Sequence, residues 1–454
     1  MLGRFSYVLL PTIPWILTGM ILVMGGRRRI VGVIGVMMIG IALGAWRGAS
    51  MERQLQVWHG LADHAVVLQV TAAEDGVYNK YGQMSFAANH VINLQTGRQL
   101  PGQISAAGLG LNAVFQGDVV LVEGKLRSGL GSYQGFMSYA DFTLLKHHDS
   151  LLLDVRRKFG AAVLSVLPEP LGSFAMGLLI GQRATLPDNV KTDLQKVGLT
   201  HIIAVSGANL TIMLTAGKRL LGKHSKRMSF AFSLLLMLGF VAITGGSASI
   251  VRAGWVSGLS LLAAYYGHTF KPLVIIMAVA AGTSLINPLY VWGDASWYLS
   301  FLAFFGILMV APLVHARLLP AFSRNLILMI AIESLCAEIM SIPYILLTFG
   351  QISFVGLLAN VLVVSAIPYA MLLGFIAGLA GLFLWPVAGW LAWPARIILE
   401  YMLGISQWLA NLPHIFNGDI WLNGIGAGLL YVTTVGLVLL LHWKDRRQSV
   451  KMTV

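Results

Sequence analysis

The chain alternates between long apolar runs and a single extended polar interval. Two apolar segments come first, Tyr7 to Met24 and Ile30 to Trp46, separated by a short loop that carries Arg27, Arg28 and Arg29. Each is long enough for a membrane helix, and arginines in so short a connection place it on the cytoplasmic side. No secretory cleavage site follows the first run, so it reads as a retained span. From Glu52 to about Leu145 the pattern changes to short alternating runs: AVVLQVTA (Ala65 to Ala72), MSFAANHVI (Met84 to Ile92), GDVVLVEGKL (Gly117 to Leu126) and GFMSYADFTLL (Gly135 to Leu145). Period-two alternation punctuated by Gly and Asn predicts a small antiparallel barrel of about five strands, OB-like and outside the membrane.

Beyond that interval the period becomes helical. Leu151 to Leu167 is apolar except where Arg156, Arg157 and Lys158 interrupt it, which predicts an amphipathic helix on the membrane surface. Gly172 to Gln182 is too short to span, and Leu186-Pro187-Asp188 starts a polar helix that runs to Val197. Apolar segments then follow at about 199–216, 228–243, 250–266, 273–290, 298–314, 326–349, 354–384, 391–409 and 420–441. With the opening pair they predict roughly eleven crossings. Five units result: residues 1–50 as two helices, 51–150 as the β domain, 151–197 as surface or re-entrant helices, 198–443 as a helical core and 444–454 as a basic tail. The fold class is an α-helical polytopic membrane protein with a small all-β extracellular domain.

Composition agrees with this pattern. Of 454 residues, 57% are hydrophobic and 11% charged, more apolar surface than one soluble core hides. The net charge of +13 reads mainly as a topology signal. Lys218, Arg219, Lys223, Lys226 and Arg227 mark one cytoplasmic loop, Lys271 and Arg317 with Arg324 mark two more, and Lys444, Arg446, Arg447 and Lys451 put the C-terminus inside. The N-terminus and the β domain then face outward across the inner membrane. The single cysteine, Cys336, lies in an apolar run, which excludes an intramolecular disulfide and thiolate metal clusters.

No phosphate-cradling loop, nucleophile elbow or histidine metal motif is present. His147 and His148 beside Asp149 read as a hydrated loop, so no metal, cofactor or catalytic residue is expected. In the β domain Tyr78, Tyr81, Phe86, Tyr133, Phe136 and Tyr139 are able to stack bases, but acidic residues outnumber basic ones there, so they read as core.

Polar groups at membrane depth are costly and point to a pathway or an internal contact. GLTHIIAVSGANLTIML (Gly198 to Leu214) holds His201 and then Ser206, Gly207 and Asn209, an interruption suited to lining a cavity or to gluing helices. TGGSASIVRAGW (Thr244 to Trp255) brings Arg252, free either to snorkel outward or to face a polyanion. Asp294 in WGDASWYLSF is placed to pair with it. Glu333 and Glu338 are about 140 degrees apart around one helix and do not share a face. Gln351, Asn360 and Pro368 mark a further interrupted run, and Pro343 and Pro368 are expected kinks.

The order VGLTHIIAVSG, TGGSASIVRA, NPLYVWGDASWYLSFLAFFGI and FGQISFVGLLANVLVV closely resembles the membrane core of ComEC-type competence proteins, and the β-rich interval resembles their OB-like domain. The resemblance implies an inner-membrane channel that passes single-stranded DNA into the cytoplasm during natural transformation. It implies a separate DNA receptor, motor and nuclease as partners besides the lipid bilayer. His201, Ser206, Gly207, Arg252, Asp294, Ser300, Gln351 and Asn360 fall on the family's characteristic positions. Asn209 stands at a usual histidine, and Tyr298 and Glu338 at usual glutamines. The metallo-β-lactamase-like domain that many relatives carry is absent after Trp443, so the chain itself is expected to be no enzyme. Two rivals stand beside this reading. One is a membrane enzyme on lipid-linked glycans using His201, Asp294, Glu333 and Glu338; the other is a solute transporter, for which no internal repeat is apparent.

Overall fold

The computed structural model describes residues 30–436, apart from 79–81, 112, 130, 148–149, 183–184, 204–206, 208, 212, 215–216, 218–224, 269–270 and 319–325. The first apolar segment, its arginine loop, Tyr81, His148, Asp149, Ser206 and the basic tail lie outside the described residues.

Helix α1 (Ile30–Leu61) leads directly into the β domain. Its Trp58 is 2% exposed inside that domain and donates its indole N–H to the Pro101 carbonyl at 2.8 Å. The long strands are β1 (Ala65–Ala72), β3 (Met84–Asn93), β5 (Ile104–Leu109), β6 (Val119–Ser128) and β7 (Gly135–Lys146). Short strands β2 (Val77–Tyr78) and β4 (Arg98–Leu100) fringe β3. Strand β1 pairs antiparallel with both β3 and β6, β6 pairs with β7, β7 runs parallel to β5, and β5 pairs with β3. The ring therefore closes into a barrel, which leaves the long strands no free edge. Alternate residues of β1 point inward, as its period-two pattern requires. Leu68, Val70, Ile104, Val120, Val122 and Met137 fill the interior, where Phe86 meets Phe142 with ring centroids 5.1 Å apart.

Two helices follow the barrel, α2 (Leu151–Val166) and α3 (Leu171–Ile180), packed on each other and on α14 (Ile367–Phe383). Every residue of α3 is buried, which explains a short apolar run that does not span. Next come α4 (Asp188–Lys196), entered through Pro187, and the single turn α5 (Thr200–Ile203). Described residues between 207 and 217 are helical, Gly207 among them. The helices α6 (Lys226–Ile243), α7 (Ala248–Tyr265), α8 (Pro272–Ile286), α9 (Tyr290–Gly293), α10 (Ala295–Phe305), α11 (Ala311–Leu318) and α12 (Leu326–Thr348) follow. A π-helical turn, Gly306–Val310, joins α10 to α11. Then α13 (Gly356–Ala359) passes through a second π turn, Asn360–Val364, to α14 and α15 (Ala388–Ala410).

Among the described residues four helices are long and apolar enough to cross a membrane: Lys226–Ile243, Ala248–Tyr265, Ala295–His315 and Ala331–Thr348. A fifth arises if Gly356–Val364 and Ile367–Phe383, bent by 44°, act as one span. Of the other described apolar segments, Pro272–Ile286 and Gly424–Gly436 are short and α3 is wholly enclosed. These helices are apolar on the outside: Leu235, Leu238, Leu372 and Phe383 are exposed. A contiguous apolar exterior of this kind is covered by lipid in a membrane protein.

Candidate functional site

The barrel rests on the helical bundle through polar contacts on two sides. On one side α2 holds it. Arg156 donates to Asp75 at 2.7 Å and to the Gln116 side-chain oxygen at 3.2 Å, and Gln116 donates onward to the Gly245 carbonyl at 2.7 Å. Arg157 pairs with Asp118 at 3.4 Å and lies over the Phe115 ring. His147 also contacts Asp118, at 3.1 Å. A cavity of about 540 Å³ remains between barrel and α2, with Met84, Val114, Met176 and Gln182 in its wall. This corrects the expectation of a basic helix lying free on the membrane. Arg156 and Arg157 are bound to barrel carboxylates, and the apolar face of α2, with Phe159 and Val163, is buried against α14. Only Lys158 of the basic trio is exposed.

On the other side the barrel meets the connection between α8 and α10. Asn287 donates to the Ser132 carbonyl at 3.1 Å. Gly131, at φ +65°, lies against Gly293 so closely that a Cβ on Gly293 would fall 2.6 Å from the Gly131 Cα. Glycine is required at both positions for this approach. Arg47 of α1 braces the same region, donating to the Leu285 and Ile286 carbonyls at 2.7 Å. A cation at the C-terminus of α8 is well placed for its dipole.

Beneath Ser132 and Gly131 sits Arg252, 1% exposed. Its Nη2 donates to both the carbonyl and the hydroxyl of Ser296, at 2.9 and 2.8 Å, whereas Nε and Nη1 have no hydrogen-bond partner. The expected direct pairing with Asp294 is not formed. Asp294 instead caps α10, accepting from the Trp297 amide at 3.2 Å, and acts on Arg252 only as a nearby charge. Snorkelling is also excluded, because the side chain is enclosed. Burial pushes the Tyr133 phenol up, as do the charges of Glu74 and Asp294, and the Tyr290 phenol is raised by burial and Asp294. Both are therefore neutral hydroxyls, and Tyr290 is close enough to Arg252 to act on it.

Further along α10, Tyr298 stacks on Tyr344 of α12 at 4.9 Å and donates its hydroxyl to the Val291 carbonyl, while Ser300 is half-buried. Phe304 and Ala253 approach Gly207, so the GLTHIIAVSGANLTIML segment packs between α7 and α10. Asn209 is 1% exposed and donates to the Leu178 carbonyl of α3 at 3.2 Å. It joins its segment to α3, the helix-gluing role among the two that the interruption suits. A second polar group gathers around α12 and α13. Glu338 occupies the space where a side chain at Gly356 would lie, Asn360 keeps a buried Oδ1 without a partner, and Gln351 accepts from Gln195 at 3.0 Å. His201 is exposed, its Nδ1 3.2 Å from the Gly198 carbonyl, and Gly198 packs on Ser353. The candidate residues thus form two groups, Arg252–Asp294–Tyr298–Ser300 around α7 and the start of α10, and His201–Glu338–Gln351–Asn360 around α12 and α13, with α10 and α12 packed on each other. Among the described residues no group of His, Cys, Asp and Glu is arranged to hold a metal ion.

Ser296 escaped the sequence reading, although its position two residues after the capping Asp294 was a usable signal. Asp75 and Asp118 escaped it because nothing local links them to α2.

The family profile described as competence protein matches residues 178–447, more than half the chain and all of both polar groups. The chain belongs to the competence protein family. ComE operon protein 3 of Bacillus subtilis (strain 168) is 26% identical over 311 residues, covering 67% of this chain and 38% of that protein. The chain thus aligns with well under half of that relative's length. No solved structure matches it. Within this competence protein the barrel lies outside the profile's range and Arg252 lies inside it.

Proposed function

We propose that this competence protein takes part in DNA uptake as an inner-membrane channel that passes single-stranded DNA into the cytoplasm. What supports the reading is a family-matched polar cluster, Arg252 with Ser296 and Asp294, beside the α8–α10 connection that the barrel contacts. A strand is a polyanion, and a cation held inside the helical bundle favours such a cargo in low-dielectric surroundings. The closed strand order β1-β3-β5-β7-β6, with one parallel pair, supports an OB-like barrel. The basic loops after residues 217, 265 and 315 support a barrel on the outer face and a cytoplasmic C-terminus. In this reading residues 1–454 bind and pass the strand, and a receptor and a motor act with them.

The test is deletion of the gene followed by delivery of labelled DNA. The channel reading expects label to be held at the cell surface and absent from the cytoplasm, with restoration by the intact gene. Undiminished cytoplasmic label in the deletion strain would end it.

A further inference from the structure

Helix α15 is 23 residues long, roughly 34 Å, yet it is not among the described helices apolar enough to cross a membrane. The reason lies in how its exposed residues divide around the axis. Trp390, Trp393, Ile397, Tyr401 and Trp408 are 44–85% exposed and fall within a sector of about 80°, whereas Arg396, Glu400 and Gln407, also exposed, fall within one of about 40° beside it. The buried face, with Ala395, Leu399 and Met402, lies on the far side of the polar stripe. Arg396 donates to Glu400 at 2.7 Å and both stay half exposed, so the bundle does not hide the pair. A lipid-facing span would carry this stripe through the hydrocarbon, where only residues near the ends are able to snorkel out.

The two ends of α15 also lie on one side of the bundle. It follows α14, whose Gly378 and Gly381 lie against Phe159 and Ala162 of α2, and Arg156, one turn before Phe159, is bound to the barrel. At its other end the strand Phe416–Asn417 pairs with Ile352–Ser353, just past α12, and the Ile420 amide donates to the Gly350 carbonyl. That end of α12 faces the barrel as well, because Tyr344 stacks on Tyr298 near the start of α10, and Gly293 before it touches Gly131 of the barrel. A helix with both ends on the barrel-bearing side does not cross the membrane.

We propose that α15 lies along the lipid–water interface on the barrel-bearing side, with its polar stripe against phospholipid headgroups and its aromatic stripe at the boundary with the acyl chains. Tryptophan and tyrosine settle at this depth because each has an apolar body and a polar edge. An amphipathic helix with a charged stripe and an aromatic one binds in this plane. Nothing in this placement depends on the channel reading; it requires only a bundle seated in a bilayer. It removes 391–409 from the crossings expected of the sequence, and it takes Arg396 and Glu400 out of the hydrocarbon.

The test uses the full chain in nanodiscs of phosphatidylcholine and phosphatidylglycerol, with single cysteines placed at exposed positions of α15 and spin-labelled. Cys336 stays in place because it is buried, and the unsubstituted chain gives the background. Arg396→Cys, Glu400→Cys and Gln407→Cys are expected to relax with a water-soluble nickel chelate, and Trp393→Cys, Tyr401→Cys and Trp408→Cys with oxygen. Depth then oscillates with the helical period about one constant level. A spanning helix gives instead a depth that increases by about 15 Å toward the bilayer centre and decreases again toward the other end, and that gradient overturns the placement. Exclusion of both reagents from both stripes overturns it too, since protein and not lipid would then cover the helix. No DNA is present, so either failure leaves the channel reading to its own test.

Discussion

At the residue scale, polar side chains within the helical bundle include some that hold helices together, and Asn209 is one of them. Replacing it with Ala leaves the buried Leu178 carbonyl without this donor, a loss of about 1–3 kcal/mol. Asn209→Ala should therefore lower the unfolding temperature of purified protein, and any loss of transformation should follow the loss of folded protein. Transformation that collapses at full protein level and unchanged unfolding temperature would return Asn209 to the strand path. Glu338 makes the opposite case. Its carboxylate tip fills the space beside Gly356, and a Cβ there meets only the far end of that side chain, which is able to rotate aside, so Gly356→Ala should cost no more than about 1 kcal/mol, measured by thermal unfolding. Glu338→Gln, which keeps the shape, should leave uptake intact under the channel reading and abolish activity if Glu338 is an acid–base group.

At the element scale, what was legible in the sequence was periodicity. The strand Ala65–Ala72 and the Pro187 helix start were readable because alternation and proline are local signals. Strand β5, ISAAGL, was not, since alanine and glycine carry no β signature; its place comes from pairing with β3 and β7. Helix α2 shows the same limit more sharply. Its arginines looked like membrane-surface charges, but the partner of Arg156 is Asp75, 81 residues away. That pair is only 10–12% exposed, so breaking it by Arg156→Met should cost about 3–5 kcal/mol. Combining Arg156→Met with Asp75→Asn should cost less than the two single losses added together. Strict additivity in that double-mutant cycle would show that the pair does not hold α2 to the barrel.

At the scale of the whole molecule, the barrel is fixed at separated points: Arg156 and Gln116 on one side, Asn287 and Gly293 on the other, with Trp58 tying it to α1. These anchors differ in strength. The α2 side carries charge-assisted bonds worth about 1.5–3 kcal/mol each, whereas Asn287–Ser132 is a neutral bond worth about 0.5–1.5 kcal/mol. The glycine contact adds fit but no bond, so the side above Arg252 is the weaker attachment. Gly293→Ala tests this directly, because its Cβ meets Gly131 backbone and not a side chain able to rotate away. Hydrogen exchange should rise at residues 131–133 and 287–294, while β5 and β6 inside the barrel and α2 beneath it keep their protection. A rise spread evenly over the barrel would mean that the glycine contact stabilises the fold itself. No rise at either segment would mean that barrel and bundle do not touch there, and the roof over Arg252 would have to be sought elsewhere.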